Sequence, residues 1–191
     1  LYHAFGIEGV VMTSMQAMSG AGRRGGVLGL DILDNIIPYI PGEEAKVQKE
    51  TQKILGDLKN ESIVSATFGI SATCTRVQVA DGHTEAVFVA TRDSCSPAEA
   101  IRAFREFDGN LRGMPSAPDS LIFVHDDPFR PQPRRARERG DGMVTTVGRV
   151  REEVVMGRHG VKYVLVSHNT KMGAAKGAIL VAEILMSQGL I

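Results

Sequence analysis

The chain has 191 residues, 43% of them hydrophobic, with 22 Lys and Arg against 22 Asp and Glu. Zero net charge excludes a nucleic-acid binder that works through bulk positive charge, and the hydrophobic content excludes a disordered chain. The two cysteines make no disulfide framework and point to a reduced compartment, expected to be the cytoplasm, while the longest apolar stretch, Gly177 to Met186, is broken by Glu183 and too short to span a bilayer.

Glu8 to Gln16 reads as a buried strand, short and β-branched, followed by a glycine-rich loop from Ser19 to Gly26. A short helical piece ends near Pro38, and a charged helix runs from Glu43 to Leu55, where Gly56 stops it. Segments 62–70 and 75–80 read as strands. The Asp81-Gly82 turn then predicts a hairpin over 75–91, with Glu85 to Thr91 as the returning strand.

Ser96-Pro97-Ala98-Glu99 is a capping box with Pro at the first helical position, so a helix follows to about Asp108. Strands are expected at 120–125 and 143–151, flanking a Pro- and Arg-rich loop from Asp126 to Gly142. A strand over 161–167 leads through His168-Asn169-Thr170 into a final helix, about 171–187. Hairpins alternating with few helices predict an α+β fold: a mixed, mostly antiparallel sheet with helices packed on one face. No internal repeat or linker divides the chain, so residues 1–191 read as one domain.

Gly20-Ala21-Gly22-Arg23-Arg24-Gly25 matches the dinucleotide fingerprint G-x-G-x-x-G in form only. No parallel strand follows about thirty residues on with an acidic residue to hold a ribose. The loop reads instead as one that brings backbone amides close to a ligand, an approach glycine permits. Arg76 supplies a planar guanidinium suited to a carboxylate, and His83, presented by the Asp81-Gly82 turn, an imidazole that titrates near neutral pH. Glu43 and Glu44, in a helical first turn, ordinarily complement the helix dipole. The run Arg130, Arg134, Arg135, Arg137 and Arg139 reads as a solvated loop partly paired with Glu138 and Asp141. Cys74 reads as an inert buried thiol, and the histidines show no metal-ligand spacing with either cysteine, so no metal site is expected.

Four segments in order carry a resemblance: Gln16-Ala17-Met18-Ser19-Gly20-Ala21-Gly22; Glu43-Glu44-Ala45-Lys46 with Lys53-Ile54-Leu55-Gly56; Thr75-Arg76-Val77 through Asp81-Gly82-His83-Thr84-Glu85; and Arg130-Pro131-Gln132-Pro133-Arg134 with Gly148-Arg149 and His168-Asn169-Thr170. Together they resemble the aspartate-semialdehyde dehydrogenase family, in its fungal and archaeal branch. The resemblance covers essentially the whole chain and only the family's catalytic and dimerisation domain, which has the fold of the C-terminal domain of glyceraldehyde-3-phosphate dehydrogenase. It implies that the family's N-terminal NADP-binding domain and nucleophilic cysteine lie outside this chain. The chain opens Leu-Tyr-His without an initiator Met, and is expected to be a fragment whose last helix, 170–191, returns to that domain.

The resemblance also implies roles. His83 would be the acid/base, Arg76 would take the substrate carboxylate and Glu43 its ammonium, Gln16 would orient the substrate, and Lys46 would hold phosphate. Ser19, Gly20, Ala21, Gly22 and Asn169 would meet the NADP cofactor. The run Arg23-Arg24-Gly25-Gly26 departs from the family's pattern, which carries an aromatic residue and a smaller loop there. The implied partners are a small-molecule substrate, phosphate and further copies of the subunit in a homodimer or homotetramer, with no nucleic acid and no membrane. Two alternatives remain: an enzyme like N-acetyl-glutamyl-phosphate reductase, whose acylated substrate amine would leave Glu43 no cation to bind, and a non-catalytic oligomerisation fragment.

Overall fold

A computed structural model of the chain describes residues 1–21, 29–111 and 113–191. Its centre is a seven-stranded sheet. After one helical turn, α1 (Tyr2–Phe5), come β1 (Ile7–Gln16), a 3-10 turn at Met18–Ala21, α2 (Gly29–Ile32), β2 (Ile36–Ile37) and α3 (Glu43–Ile54). A two-stranded ribbon, β3 (Asp57–Lys59) and β4 (Ser62–Val64), precedes the long strands β5 (Gly69–Val77) and β6 (His83–Thr91). Then follow α4 (Pro97–Glu106), β7 (Ile122–His125), α5 (Pro133–Ala136), β8 (Thr145–Val155), β9 (Arg158–Ser167), a π-helical turn at Lys171–Ala175 and α6 (Lys176–Ser187). The sheet order is β2-β5-β1-β6-β9-β8-β7.

The expected mixed, mostly antiparallel sheet is present: β1–β5 and β7–β8 are parallel, and β2–β5, β1–β6, β6–β9 and β8–β9 antiparallel. The expected hairpin over 75–91 is not formed. β1 lies between β5 and β6, pairing with both, so the Asp81-Gly82 turn joins strands that are not neighbours. The segment expected as one strand over 62–70 is two pieces: β4 stays in its own ribbon, and Gly69 and Ile70 already belong to β5. The helical piece expected to reach Pro38 ends at Ile32, after which Ile36 and Ile37 join the sheet beside Val77 and Arg76.

α4 opens on the capping box as expected, with the Ser96 side chain accepting from the Glu99 N–H and the Glu99 carboxylate accepting from the Ser96 N–H. Its buried Ala100 and Phe104 pack against Val87, Val89, Val124, Val147, Val161 and Tyr163, with Phe104 meeting the Tyr163 ring edge-on at 5.2 Å. Burying such side chains stabilises the fold by roughly 1.5–3 kcal/mol each, so this cluster fixes the sheet and with it the strand ends that carry the site. On β8, Gly148 has no room for a side chain, because an added Cβ would collide with the Arg130 carbonyl. The Arg130-Pro131 segment can therefore cross closely above the strand.

Candidate active site

The residues singled out in the sequence converge at the carboxyl ends of β1 and β5. The parallel register sets Gln16 opposite Arg76, both last-turn strand positions and both buried, at 6% and 5% exposure. β2 then lies along β5, with Ile37 opposite Arg76, and the chain turns at Gly42 into α3, delivering Glu43 at the helix start. The Gln16 amide donates from Nε2 to Glu43 Oε1 at 3.2 Å and to Ser14 Oγ at 3.3 Å. Glu43 also faces Lys46 at 3.8 Å, whose side chain is largely exposed.

His83 opens β6 on the other side of β1. The Ala17 N–H donates to His83 Nδ1 at 3.1 Å, and Arg76 Nη1 donates to the Ala17 carbonyl at 2.8 Å. One residue, Ala17, fully buried, is thus held from both directions. Gly20 closes the group: a Cβ there would lie 2.9 Å from Arg76 Nη1, 3.1 Å from His83 Cε1 and 3.3 Å from His83 Nε2. The missing side chain leaves open the space that these two side chains border.

Burial is the main cause that holds the His83 imidazole down at about 4, with the Arg76 cation adding to it and Glu43 opposing. Burial likewise lowers the Arg76 guanidinium, against the pull of Glu43. Arg76 Nε is buried and makes no hydrogen bond. A buried cation with an unused donor is costly unless an anion completes it. An anion brought against Arg76 would offset that cost.

Asn169 joins two turns of the site. Its Oδ1 accepts from the Gly82 N–H at 2.9 Å, and its Nδ2 donates to Ser19 Oγ at 2.8 Å. Arg137, from the end of α5, donates to the Asp81 carbonyl at 3.1 Å, so the turn before His83 is gripped from both flanks. Behind Asn169 lies a charged cluster. Lys171 reaches Glu138 at 2.6 Å and Asp141 at 2.9 Å, Lys176 also pairs with Asp141, and the buried His168 faces Glu138 at 3.4 Å. Asp141, expected to pair within the arginine run, pairs instead with lysines of the last helical segment; Arg137 does face Glu138, at 3.8 Å.

The structure thus brings Gln16, Glu43, Arg76, His83 and Gly20 into one group, with Lys46, Ser19 and Asn169 at its border. Gly22 lies outside the described residues. Sequence reasoning missed Ala17, which acts through its main-chain N–H and C=O and so leaves no mark in residue type, and it read Arg137, whose guanidinium donates to the Asp81 carbonyl, as part of a solvated loop. Gly20, assigned by resemblance to cofactor contact, also borders Arg76 and His83. Cys74 is fully buried on β5, and burial is the chief cause that pushes its thiol up; burial does the same to Cys95. A protonated buried thiol is a poor nucleophile. Among the described residues no three His, Cys, Asp or Glu side chains group as a metal site, and no helix is long and apolar enough to cross a membrane.

Comparison with known proteins agrees in extent. The family described as semialdehyde dehydrogenase, dimerisation domain, matches residues 1–172. The chain is 44% identical over 187 residues to an aspartate-semialdehyde dehydrogenase of Methanothermobacter thermautotrophicus, covering 97% of this chain and 53% of that protein. Among solved structures, the aspartate semialdehyde dehydrogenase from Candida albicans with NADP superposes with a TM-score of 0.87 at 42% identity, over 100% of this chain and 54% of that one. The aspartate semialdehyde dehydrogenase II from Vibrio cholerae, complexed with ASA, superposes at 0.76 and 28% identity, over 97% and 56%. The chain spans about half the length of the relatives it matches.

Proposed function

This chain belongs to the semialdehyde dehydrogenase family through its dimerisation domain, and on that premise we propose that its buried cluster is the amino-acid half of an aspartate-semialdehyde dehydrogenase site. The reaction interconverts L-aspartate 4-semialdehyde, phosphate and NADP with L-4-aspartyl phosphate and NADPH, a step in the biosynthesis of lysine, threonine and methionine. The observation that carries this reading is Arg76: a buried guanidinium with Nε unpartnered, aimed with His83 at the space above Gly20.

In this reading the substrate α-carboxylate completes Arg76, whose planar fork suits two oxygens. The α-ammonium goes to Glu43, oriented by the Gln16 amide. Phosphate lies toward Lys46, the exposed cation one turn along α3. His83 stands at the reacting aldehyde. The thiolate that the reaction needs is neither Cys74 nor Cys95, since both thiols are buried and raised. The described residues form no cradle for a whole dinucleotide, because the strand after the glycine-rich loop is the two-residue, antiparallel β2. In this reading Ser19, Gly20, Ala21 and Asn169 would meet one end of NADP, which when bound takes the hydride.

The parent family's description supports self-association of this domain, and two free cysteines suit a cytoplasmic location. The reductase of N-acetylglutamyl phosphate is the weaker reading. Its acylated amine carries no charge, and Glu43 would then face it without a cation. Calorimetric titration of the chain with L-aspartate and with N-acetyl-L-glutamate, as stable stand-ins for the two substrates, separates the readings. Tighter binding of L-aspartate, lost in Glu43→Gln, is expected; preference for the acetylated compound would reverse the assignment.

A further inference from the structure

Building on that functional reading, we infer that Glu44 is a positioning residue: it moors the first turn of α3 to the edge of β5, and so sets where Glu43 can meet a substrate ammonium. Residue order alone gives the two carboxylates one role, as complements to a helix dipole. The structure separates them. Glu43 Oε1 accepts from the Gln16 amide at 3.2 Å, whereas Glu44 Oε1 accepts from the Cys74 N–H at 3.0 Å.

The Cys74 N–H is a ladder donor on the outer edge of β5. β1 takes the other edge, and on the outer one β2 pairs only with Arg76 and Val77. Among the described strands none offers Cys74 a carbonyl there, and the Glu44 carboxylate takes that carbonyl's place. α3 depends on such ties, because none of its residues is fully buried and no side chain caps its start. At its far end Gln52 Nε2 donates to the Phe68 carbonyl at 2.9 Å, and the Ala66 N–H donates to the Gln52 carbonyl at 2.9 Å. At its near end Glu44 holds main chain that β1 already keeps in register.

The consequence is a fixed separation. Arg76 lies two residues along β5 from Cys74, so one strand carries both the guanidinium and the point where α3 is moored. In an α-amino acid the carboxylate and the ammonium hang from one carbon, and their spacing cannot adapt. A site that holds both therefore needs its cation and its anion at a matching distance. A helix sliding along the sheet would move Glu43 and leave Arg76 in place. Glu44 opposes that slide through a bond made before any ligand arrives, so the acceptor for the ammonium is set in advance.

The test is calorimetric titration of the 191-residue chain with L-aspartate and with succinate, the same dicarboxylate without the ammonium, in wild type, Glu44→Ala and Glu44→Gln. Glu44→Ala should lose about tenfold to a hundredfold in affinity for L-aspartate and keep its affinity for succinate within about twofold. Glu44→Gln should bind both as wild type does, because its amide oxygen still accepts from the Cys74 N–H. In 1H–15N spectra, Glu44→Ala alone should show faster exchange at the Cys74 amide and a shifted Gln16 side-chain amide. Equal losses for both ligands would make Glu44 a general fold contact and overturn the inference. So would a Glu44→Gln chain that behaves like Glu44→Ala, or a Glu44→Ala chain that frees Cys74 yet binds L-aspartate as before. If Glu44→Ala does not fold, Glu44→Asp, one methylene short of the bond, is held to the same split. A wild-type chain with no preference for L-aspartate over succinate counts against the functional reading instead. The mooring is then judged by the Gln16 amide, whose unmoved resonance in Glu44→Ala, or in Glu44→Asp, would overturn it.

Discussion

Gln16 and Arg76 stand side by side as register partners at the ends of two parallel strands, and both are buried although both are polar. Their surroundings differ. Gln16 is satisfied by Ser14 and Glu43, whereas Arg76 spends one nitrogen on the Ala17 carbonyl and keeps Nε free. In the proposed site, that asymmetry makes Gln16 the organising residue and Arg76 the one a ligand would complete.

Arg76→Lys should weaken binding of L-aspartate 4-semialdehyde by about a hundredfold, because an ammonium cannot hold the Ala17 carbonyl and fork a carboxylate together. Calorimetric titration of both chains measures this. Affinity within threefold of wild type would remove Arg76 from the substrate site.

Gly20→Ala places a methyl 2.9 Å from Arg76 Nη1 and 3.1 Å from the His83 ring. Ligand affinity should fall about tenfold to a hundredfold, since small misplacements at a reacting centre are costly. The melting temperature should change little, because the methyl fills a ligand space and not the core. Unchanged affinity would show that the space over Gly20 is not used.

Asn169→Ala leaves the Gly82 N–H and the Ser19 hydroxyl without their partner. The Gly82 bond is partly buried and the Ser19 bond exposed, so a loss of about 0.5–1.5 kcal/mol is expected, read by urea unfolding. Amide exchange should quicken at Gly82 before it does in the sheet, and uniform quickening would argue against a local clamp.

His83 makes stability depend on acid. Its folded pKa, about 4, lies below the unfolded value near 6.5, so between those values the unfolded chain binds more protons. Stability is complete above pH 6.5 and declines as pH falls toward 4. Thermal melts at pH 7, 5.5 and 4.5 should show this slope, and His83→Gln should flatten it. A further loss belongs to Asp141, held down at about 2 chiefly by Lys176 and then Lys171: its contribution is present above pH 3.8 and goes as pH falls through 2. If His83→Gln leaves the slope between pH 6.5 and 4 intact, the imidazole is not its source.

The 191-residue chain alone should form no NADPH from L-aspartate 4-semialdehyde, NADP and phosphate. A thioester needs a thiolate within reach of the aldehyde, and Cys74 is a buried, raised thiol on the same strand as Arg76. Absorbance at the NADPH band is the readout. Turnover that vanishes in Cys74→Ser would make Cys74 the nucleophile after all.

Much of this was legible from residue order. Ser96-Pro97-Ala98-Glu99 determined where α4 starts, because a capping box is satisfied by four consecutive residues and needs no partner elsewhere. The β-branched runs marked β1, β6 and β9, and the joint pattern around Gln16, Glu43, Arg76 and His83 marked the family and the residues of the proposed site. Tertiary structure alone decided who pairs with whom. Asp81-Gly82 promised a hairpin, yet β1 took the place between β5 and β6, because a central strand gains ladder bonds on both edges and a turn cannot encode that. It also decided the partners of His83 and Arg76. Both depend on the N–H and C=O of Ala17, groups that every non-proline residue carries, and only folding put those two where an imidazole and a guanidinium could grip them.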